Sequence, residues 1–176
     1  MNHNTVYLSS CKAYEYEALR AIIDEQFEAL GFAEKIKPGM KVAVKPNLVV
    51  RAKEESGTCT HPLVTAAVCT WLSDHGAQVT VVESPGGPYT PAILRGIYQH
   101  CGYTEMAQQY GVTLNEDCSY EQVSCPQGER CRLFDIVTPI LQADLVVDIA
   151  KLKSHCMMMF SGCSKNLFGV VPGLMK

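Results

Sequence analysis

The chain has 176 residues, 47% hydrophobic and 19% charged, with a formal net charge of −3. That length suits one domain-sized unit burying roughly 70% of its unfolded surface, and the composition excludes a disordered chain. The acidic balance argues against a general nucleic-acid binder, and no apolar run reaches the ~18–20 residues that cross a bilayer. The opening "MNHNTVYLSS" lacks the basic region and apolar core of a secretory leader, so a cytoplasmic protein with no membrane partner is expected.

"TVYLSS" reads as a first short strand. From Tyr14 to Leu30, apolar residues at Leu19, Ile22, Ile23, Phe27 and Leu30 follow helical spacing, with Gly31 as the stop. Pro38-Gly39 marks a turn before a strand over Lys41–Val44. His61-Pro62 opens a helix through Leu72, ended by Gly76. "AQVTVVES" is an apolar strand broken by "SPGGPYTP". Helical stretches follow around Ala92–Cys101 and Thr104–Tyr110. Short extended pieces then occupy Val112 to Val137, where an inserted hairpin or irregular edge is expected. A brief helix near Pro139–Gln142 and the buried strand "DLVVDIAKL" complete the pattern.

Strands alternating with helices predict a three-layer α/β fold, with a mainly parallel, Rossmann-like sheet covered by helices on both faces. The runs Val42–Val44, Val79–Val82 and Leu145–Ile149 are apolar enough for central strands. The whole of residues 1–176 is expected to form one domain, either complete or part of a longer chain.

Nine cysteines, an odd number scattered through helices and strands, do not resemble a secreted disulfide framework. Cys69 and Cys101 sit in helical patterns and read as small buried hydrophobes. No C-x-x-C occurs, so neither a zinc ribbon nor an iron–sulfur cluster motif is present in the chain.

Three strands run into polar, turn-forming segments: "KPNLV", "ESPGG" and "AKLKSH". In an open parallel sheet, ligands bind just beyond the carboxyl ends of the strands, so these segments are expected to converge on one crevice. Lys45 offers a positive charge and Asn47 a donor and an acceptor; the plainer alternative is a surface lysine and a turn asparagine. Ser84, Gly86 and Gly87 would bring backbone close to a ligand, although the segment lacks both G-x-G-x-x-G and the P-loop lysine. His61 stands at a helix start, as an anion contact or simply as a cap, and Cys59 two residues earlier raises a weak metal pairing.

The closing segment "KLKSHCMMMFSGCSKNLFGVVPG" carries the densest signal. Lys151, Lys153 and His155 share parity, so a continuous strand would point all three to one side. Lys165, Asn166 and Gly169 follow on a return loop. So many buried donors would need a charged partner, and "MMMF" beside them suggests a partly enclosed, thioether-lined pocket. The plainer alternative is a solvated strand end with a methionine core plug.

Together, "VAVKPNLV", "THPLVTAAV", "VTVVESPGG" and "DIAKLKSHCMMMFSGCSKNLFGVVPG" resemble the domain-of-unknown-function 362 family over nearly the whole chain. That resemblance implies an α/β domain, frequently joined to ferredoxin-like iron–sulfur modules. It carries onto Lys45, Asn47, His61, Ser84, Gly86, Lys153, His155, Lys165, Asn166 and Gly169. The family's common cluster-binding cysteine run is absent, and the chain stops three residues past "VPG".

Three functional readings follow. In the first, an enzyme or enzyme half binds a small phosphate- or carboxylate-bearing molecule. Lys45, Lys151, Lys153 and Lys165 would neutralise it, Asn47, Asn166 and the Ser84–Gly87 backbone would orient it, and His155 with Lys153 would move protons. In the second, His155, Cys156 and Cys163, with Cys59 and His61 in reserve, hold a metal or serve an iron–sulfur redox partner. In the third, the domain is a non-catalytic scaffold. A homo-oligomer or a ferredoxin-like module outside the chain is an expected partner, and the resident cofactor, if any, is unspecified.

Overall fold

A computed structural model describes residues 5–53 and 56–176. Its centre is a four-stranded parallel sheet built from β1 (Lys41–Pro46), β2 (Gln78–Val81), β3 (Thr113–Leu114) and β6 (Leu145–Ile149), in the order β3-β2-β1-β6. Helices α1 (Tyr16–Ala29), α2 (Pro62–Asp74), α3 (Pro91–His100) and α4 (Tyr103–Tyr110) surround it, so the α/β expectation holds. Small antiparallel hairpins are appended. One joins β4 (Tyr120–Ser124) to β5 (Leu133–Val137), inside the region expected to hold an insertion, and α5 (Thr138–Leu141) follows it. The other joins β7 (Lys153–His155) to β8 (Met159–Ser161), before α6 (Cys163–Leu167).

The parallel register explains the burial. Val42, Val44 and Val81 point into the main core with Val68, Trp71, Leu72 and Leu94. The intervening Ala43, with Val82, points the other way and packs with Val137, Ile140 and Val146. This alternation is the period-2 property of a strand covered on both sides. α2 is almost wholly apolar because it lies between the sheet and α1, with Thr65, Ala66, Ala67, Cys69 and Leu72 all buried. Its one polar buried side chain is satisfied: the Thr65 and Tyr103 hydroxyls are 2.8 Å apart, and Tyr103 donates onward to the Thr60 carbonyl at 3.1 Å. Gly76 ends the α2 turn at φ +88°, and a Cβ there would meet Pro38 Cα at 3.3 Å, so a glycine is required on both counts.

Two expectations change. Thr5–Ser10 forms no strand; Val6 and Leu8 are 81% and 88% exposed, so this apolar alternation has no sheet edge or core to cover it. The strand expected to continue from β6 into Lys151–His155 is broken at Ala150–Leu152 and resumes as the separate β7. Among the described residues, no helix is long and apolar enough to cross a membrane.

Candidate functional site

The chain runs from β1 through α2 to β2 on one side, whereas β6 joins β1 on the other. The order therefore reverses between β1 and β6, the place where open α/β sheets leave a crevice at their carboxyl ends. At this point Lys45 is paired in register with Asp148, and Pro46 with Ile149. Pro46 has no N–H to extend the ladder, and its carbonyl instead accepts from Lys45 Nζ at 3.1 Å and Asn166 Nδ2 at 3.2 Å.

Lys45 is 1% exposed and Glu83 3%. A lysine so deeply buried survives as a cation only with a partner and with its donors used. Both conditions are met: Lys45 Nζ donates to Glu83 Oε1 at 2.9 Å, to the Pro46 carbonyl, and to Asn166 Oδ1 at 3.4 Å. Glu83 is saturated in turn, accepting from Ser84 N at 2.8 Å and Leu48 N at 2.9 Å. Asn166, carried in by α6, also accepts from Asn47 Nδ2 at 2.9 Å and donates to Asp148 Oδ1. Asn47 Oδ1 then accepts from Lys153 Nζ at 2.7 Å, and Lys153 also donates to the Thr58 carbonyl. The result is one continuous network across five segments of chain.

One atom of this network is left over: Asp148 Oδ2 is buried without a hydrogen-bond partner. Burial pushes the Asp148 carboxyl above its usual range, opposed by the Asn166 hydrogen bond and the Lys45 charge. Burial likewise lowers the Lys153 ammonium, with the Lys165 and Lys151 charges acting in the same direction.

A cavity of about 120 Å³ with a mixed polar and apolar lining opens over this platform, bounded by Lys45, Asn47, Leu48, Val49, Glu83, Ser84, Gly86, Lys165, Asn166, Phe168, Gly169 and Lys176. Two of the three expected segments, "KPNLV" and "ESPGG", meet here with residues 165–169, whereas no residue of "AKLKSH" lines the cavity and Lys153 reaches it only through Asn47. A Cβ at Gly86 would touch nothing within 4 Å, which leaves that backbone open to an approaching group. At Gly169 a Cβ would lie 2.8 Å from Lys45 Nζ, so the glycine is needed for the 168–170 turn to close over the ion pair. Next to the cavity lies a wider, apolar groove of about 920 Å³, lined by His155, Met157, Met158, Phe160 and Phe168, and sharing Lys165. His155 belongs to this groove. Its Nδ1 accepts from the Met157 and Met158 amides at 3.2 Å, so the proton of the neutral ring is on Nε2.

Several expected residues take other roles. Lys45 is not an open cation, because Glu83 offsets its charge. Ser84 Oγ donates to the Val171 carbonyl and accepts from Gly173 N, both at 3.0 Å, strapping the 171–173 segment down. Gly87 is absent from the cavity lining; its carbonyl packs against Gly173 instead. Lys151 turns away once the strand breaks, reaching Tyr14 OH at 3.2 Å. His61 stacks on Tyr14 at 3.9 Å and caps α2, its Nδ1 accepting from Leu63 N, so it stands outside the cavity. Cys156 and Cys163 are exposed thiols, and among the described residues no three His, Cys, Asp or Glu side chains converge to hold a metal.

Glu83 and Asp148 were missed as network partners. Asp148 carried a signal, a carboxylate inside the apolar run "LVVDI", and Glu83 another, at the end of "VTVVE". A charge within a strand buried on both faces calls for an opposite charge on its neighbour.

Residues 42–176 match the model of the family described as a domain of unknown function, DUF362. The chain belongs to that family. It is also 29% identical over 173 residues to a thylakoid-associated protein of Synechocystis sp. strain PCC 6803. The alignment covers 98% of this chain but 52% of the relative, so the chain spans about half the length of that protein. No solved structure matches. Of the residues onto which the family resemblance carries, Lys45, Asn47, Ser84, Gly86, Lys165, Asn166 and Gly169 line the cavity, Lys153 and His155 do not, and His61 starts a helix.

Proposed function

We propose that this DUF362 chain holds a small anionic molecule, bearing a phosphate or carboxylate, over the carboxyl ends of β1, β2 and β6. The observation that carries the reading is the cavity at the sheet's reversal point, assembled from segments more than 100 residues apart in sequence. Lys165 and Lys176 provide the positive charge at the cavity wall, with Lys153 behind Asn47, since Lys45 is already matched by Glu83. Lys45, Glu83 and Asn166 form the rigid floor. The apolar groove beside the cavity suits the uncharged remainder of the ligand, so an amphiphile with one acidic group is favoured over inorganic phosphate alone.

Lys176 is the favoured proton-handling group, because it lines the cavity and burial lowers its ammonium to about 8. His155 is the second, from the groove wall. The site lies in the aqueous cytoplasm on this reading; the thylakoid association named for the relative makes membrane fractionation of the native protein the check on location.

Calorimetric titration with inorganic phosphate and a series of alkyl phosphates and carboxylates tests the ligand class. Expected is binding that tightens with alkyl length, and that Lys165→Ala and Lys176→Ala each weaken about tenfold or more, the scale of a hydrogen bond to a charged group. Absence of any heat with the whole series would sink the proposal. Binding that ignores both lysines would move the ligand elsewhere.

A further inference from the structure

Cys59 and Cys101 come from segments that are distant in sequence, yet both thiols meet one acceptor. Cys59 Sγ lies 3.6 Å from the Val50 carbonyl oxygen and Cys101 Sγ 3.5 Å from it. Cys101, at the C-terminal end of α3, is 2% exposed; Cys59, on the loop before α2, is only partly covered. One sulfur is therefore reachable from solvent and the other is held behind it. Arg51 packs the same stretch of loop onto α3, its guanidinium 2.8 Å from where a Cβ of Gly96 would be.

We propose that Cys59 and Cys101 form a redox-active dithiol that hydroperoxides oxidise to an intramolecular disulfide. The Cys59 thiolate attacks the distal peroxide oxygen, the O–O bond breaks, and the departing alkoxide or hydroxide leaves as alcohol or water after taking up a proton. Cys59 becomes a sulfenic acid. The Cys101 sulfur then attacks the Cys59 sulfur, the S–O bond breaks, and the hydroxide leaves as water with the Cys101 proton. Two electrons pass from the two thiols to one peroxide.

The surroundings favour this division of labour. Hydrogen bonding from Cys101 is the first cause that pushes the Cys59 thiol down to about 6, helped by the Val50 and Val49 backbone and the Lys153 charge, against burial. Cys101 is pushed up, first by that same interaction and then by burial, so it keeps the proton. The pair is also wired to the cleft. Thr58, just before Cys59, accepts from Lys153, and Thr60, just after it, holds Asn47 N at 3.0 Å and the Ile149 carbonyl at 2.8 Å. Bridging Cys59 to α3 pulls on the residues that position Lys153 and Asn47.

The test treats the fully reduced chain with hydrogen peroxide, followed by intact mass and peptide mapping. Expected is the loss of two hydrogens, a Cys59–Cys101 crosslink, and reversal by a dithiol reductant. In Cys101→Ser, dimedone should trap a sulfenic acid on Cys59. In the unmodified chain, the pH midpoint of Cys59 alkylation should lie below the ordinary thiol value of ~8.5, and Cys101→Ala, which removes the donor, should raise it. Wild-type mapping needs no variant to fold. Oxidation confined to exposed Cys11, Cys131, Cys156 and Cys163, or a Cys59 sulfenic acid that persists beside a free Cys101, would overturn the proposal.

Discussion

The Lys45–Glu83–Asn166 cluster and the β7–β8 hairpin adjoin one another, yet they are built on opposite terms. In the cluster, every side chain is buried and each donor has an acceptor across two or three chain segments. In the hairpin, Met157 and Met159 are 84% exposed, and among the described residues the two strands pair only with each other, through Lys153↔Ser161 and His155↔Met159. A network of charged hydrogen bonds fixes geometry because breaking one member strands the others. Exposed thioethers fix little and adapt to what they meet. The cleft thus has one rigid wall and one yielding wall, joined where Lys153 Nζ reaches Asn47.

Removing half of the buried ion pair should break the rigid wall most severely. Glu83→Gln leaves Lys45 charged and unpaired, and an isolated buried charge costs about 3–5 kcal/mol. The urea midpoint should fall accordingly, while the double change Lys45→Met with Glu83→Leu should cost less than Glu83→Gln alone. If the single and double variants lose stability equally, the pair is not the source of that stiffness. Gly169→Ala comes next. Its new methyl must push the Lys45 ammonium away from Glu83, an overpacking cost of about 1–3 kcal/mol, readable as a lower melting temperature.

Asp148 sharpens the comparison through pH. Its folded-state pKa is raised, first by burial. A raised carboxyl binds its proton more tightly when folded, so its contribution is fully present below the unfolded value of ~3.9. That contribution is lost as pH rises through the folded value. Asp148→Asn should therefore flatten the dependence of stability on pH over this acidic window, as followed by denaturation at several pH values; an unchanged slope would count against the buried orphan oxygen. The smallest effect belongs to the hairpin. Met159 sits at φ +59°, where a glycine is at ease. Met159→Gly should slow amide exchange across β7–β8 while changing global stability by less than about 1 kcal/mol.

The same contrast explains what the sequence could reveal. β1, β2 and β6 were legible because strands covered on both faces read as apolar runs, and the helix start at His61-Pro62 carries its own punctuation. The cleft was legible because polar residues collect at strand ends. The parity of Lys151, Lys153 and His155 misled, since a period of two presumes an unbroken strand, and Ala150–Leu152 breaks it. The β7–β8 turn was hidden for a local reason: Cys156, Met157 and Met158 are not turn formers, and the left-handed position is filled by methionine rather than glycine. The Lys45–Glu83 and Asn166–Asp148 pairings depend on strand order, which no local spacing encodes.

Because Pro46 closes the β1 ladder, the carbonyls at its tip wait for an amide 121 residues further along the chain than Lys45. During synthesis, Lys45 and Glu83 emerge from the ribosome well before Asn166 does. The nascent sheet therefore carries its buried cation half-clasped until Asn166 arrives, and closure of so long a loop makes the cleft slow to mature.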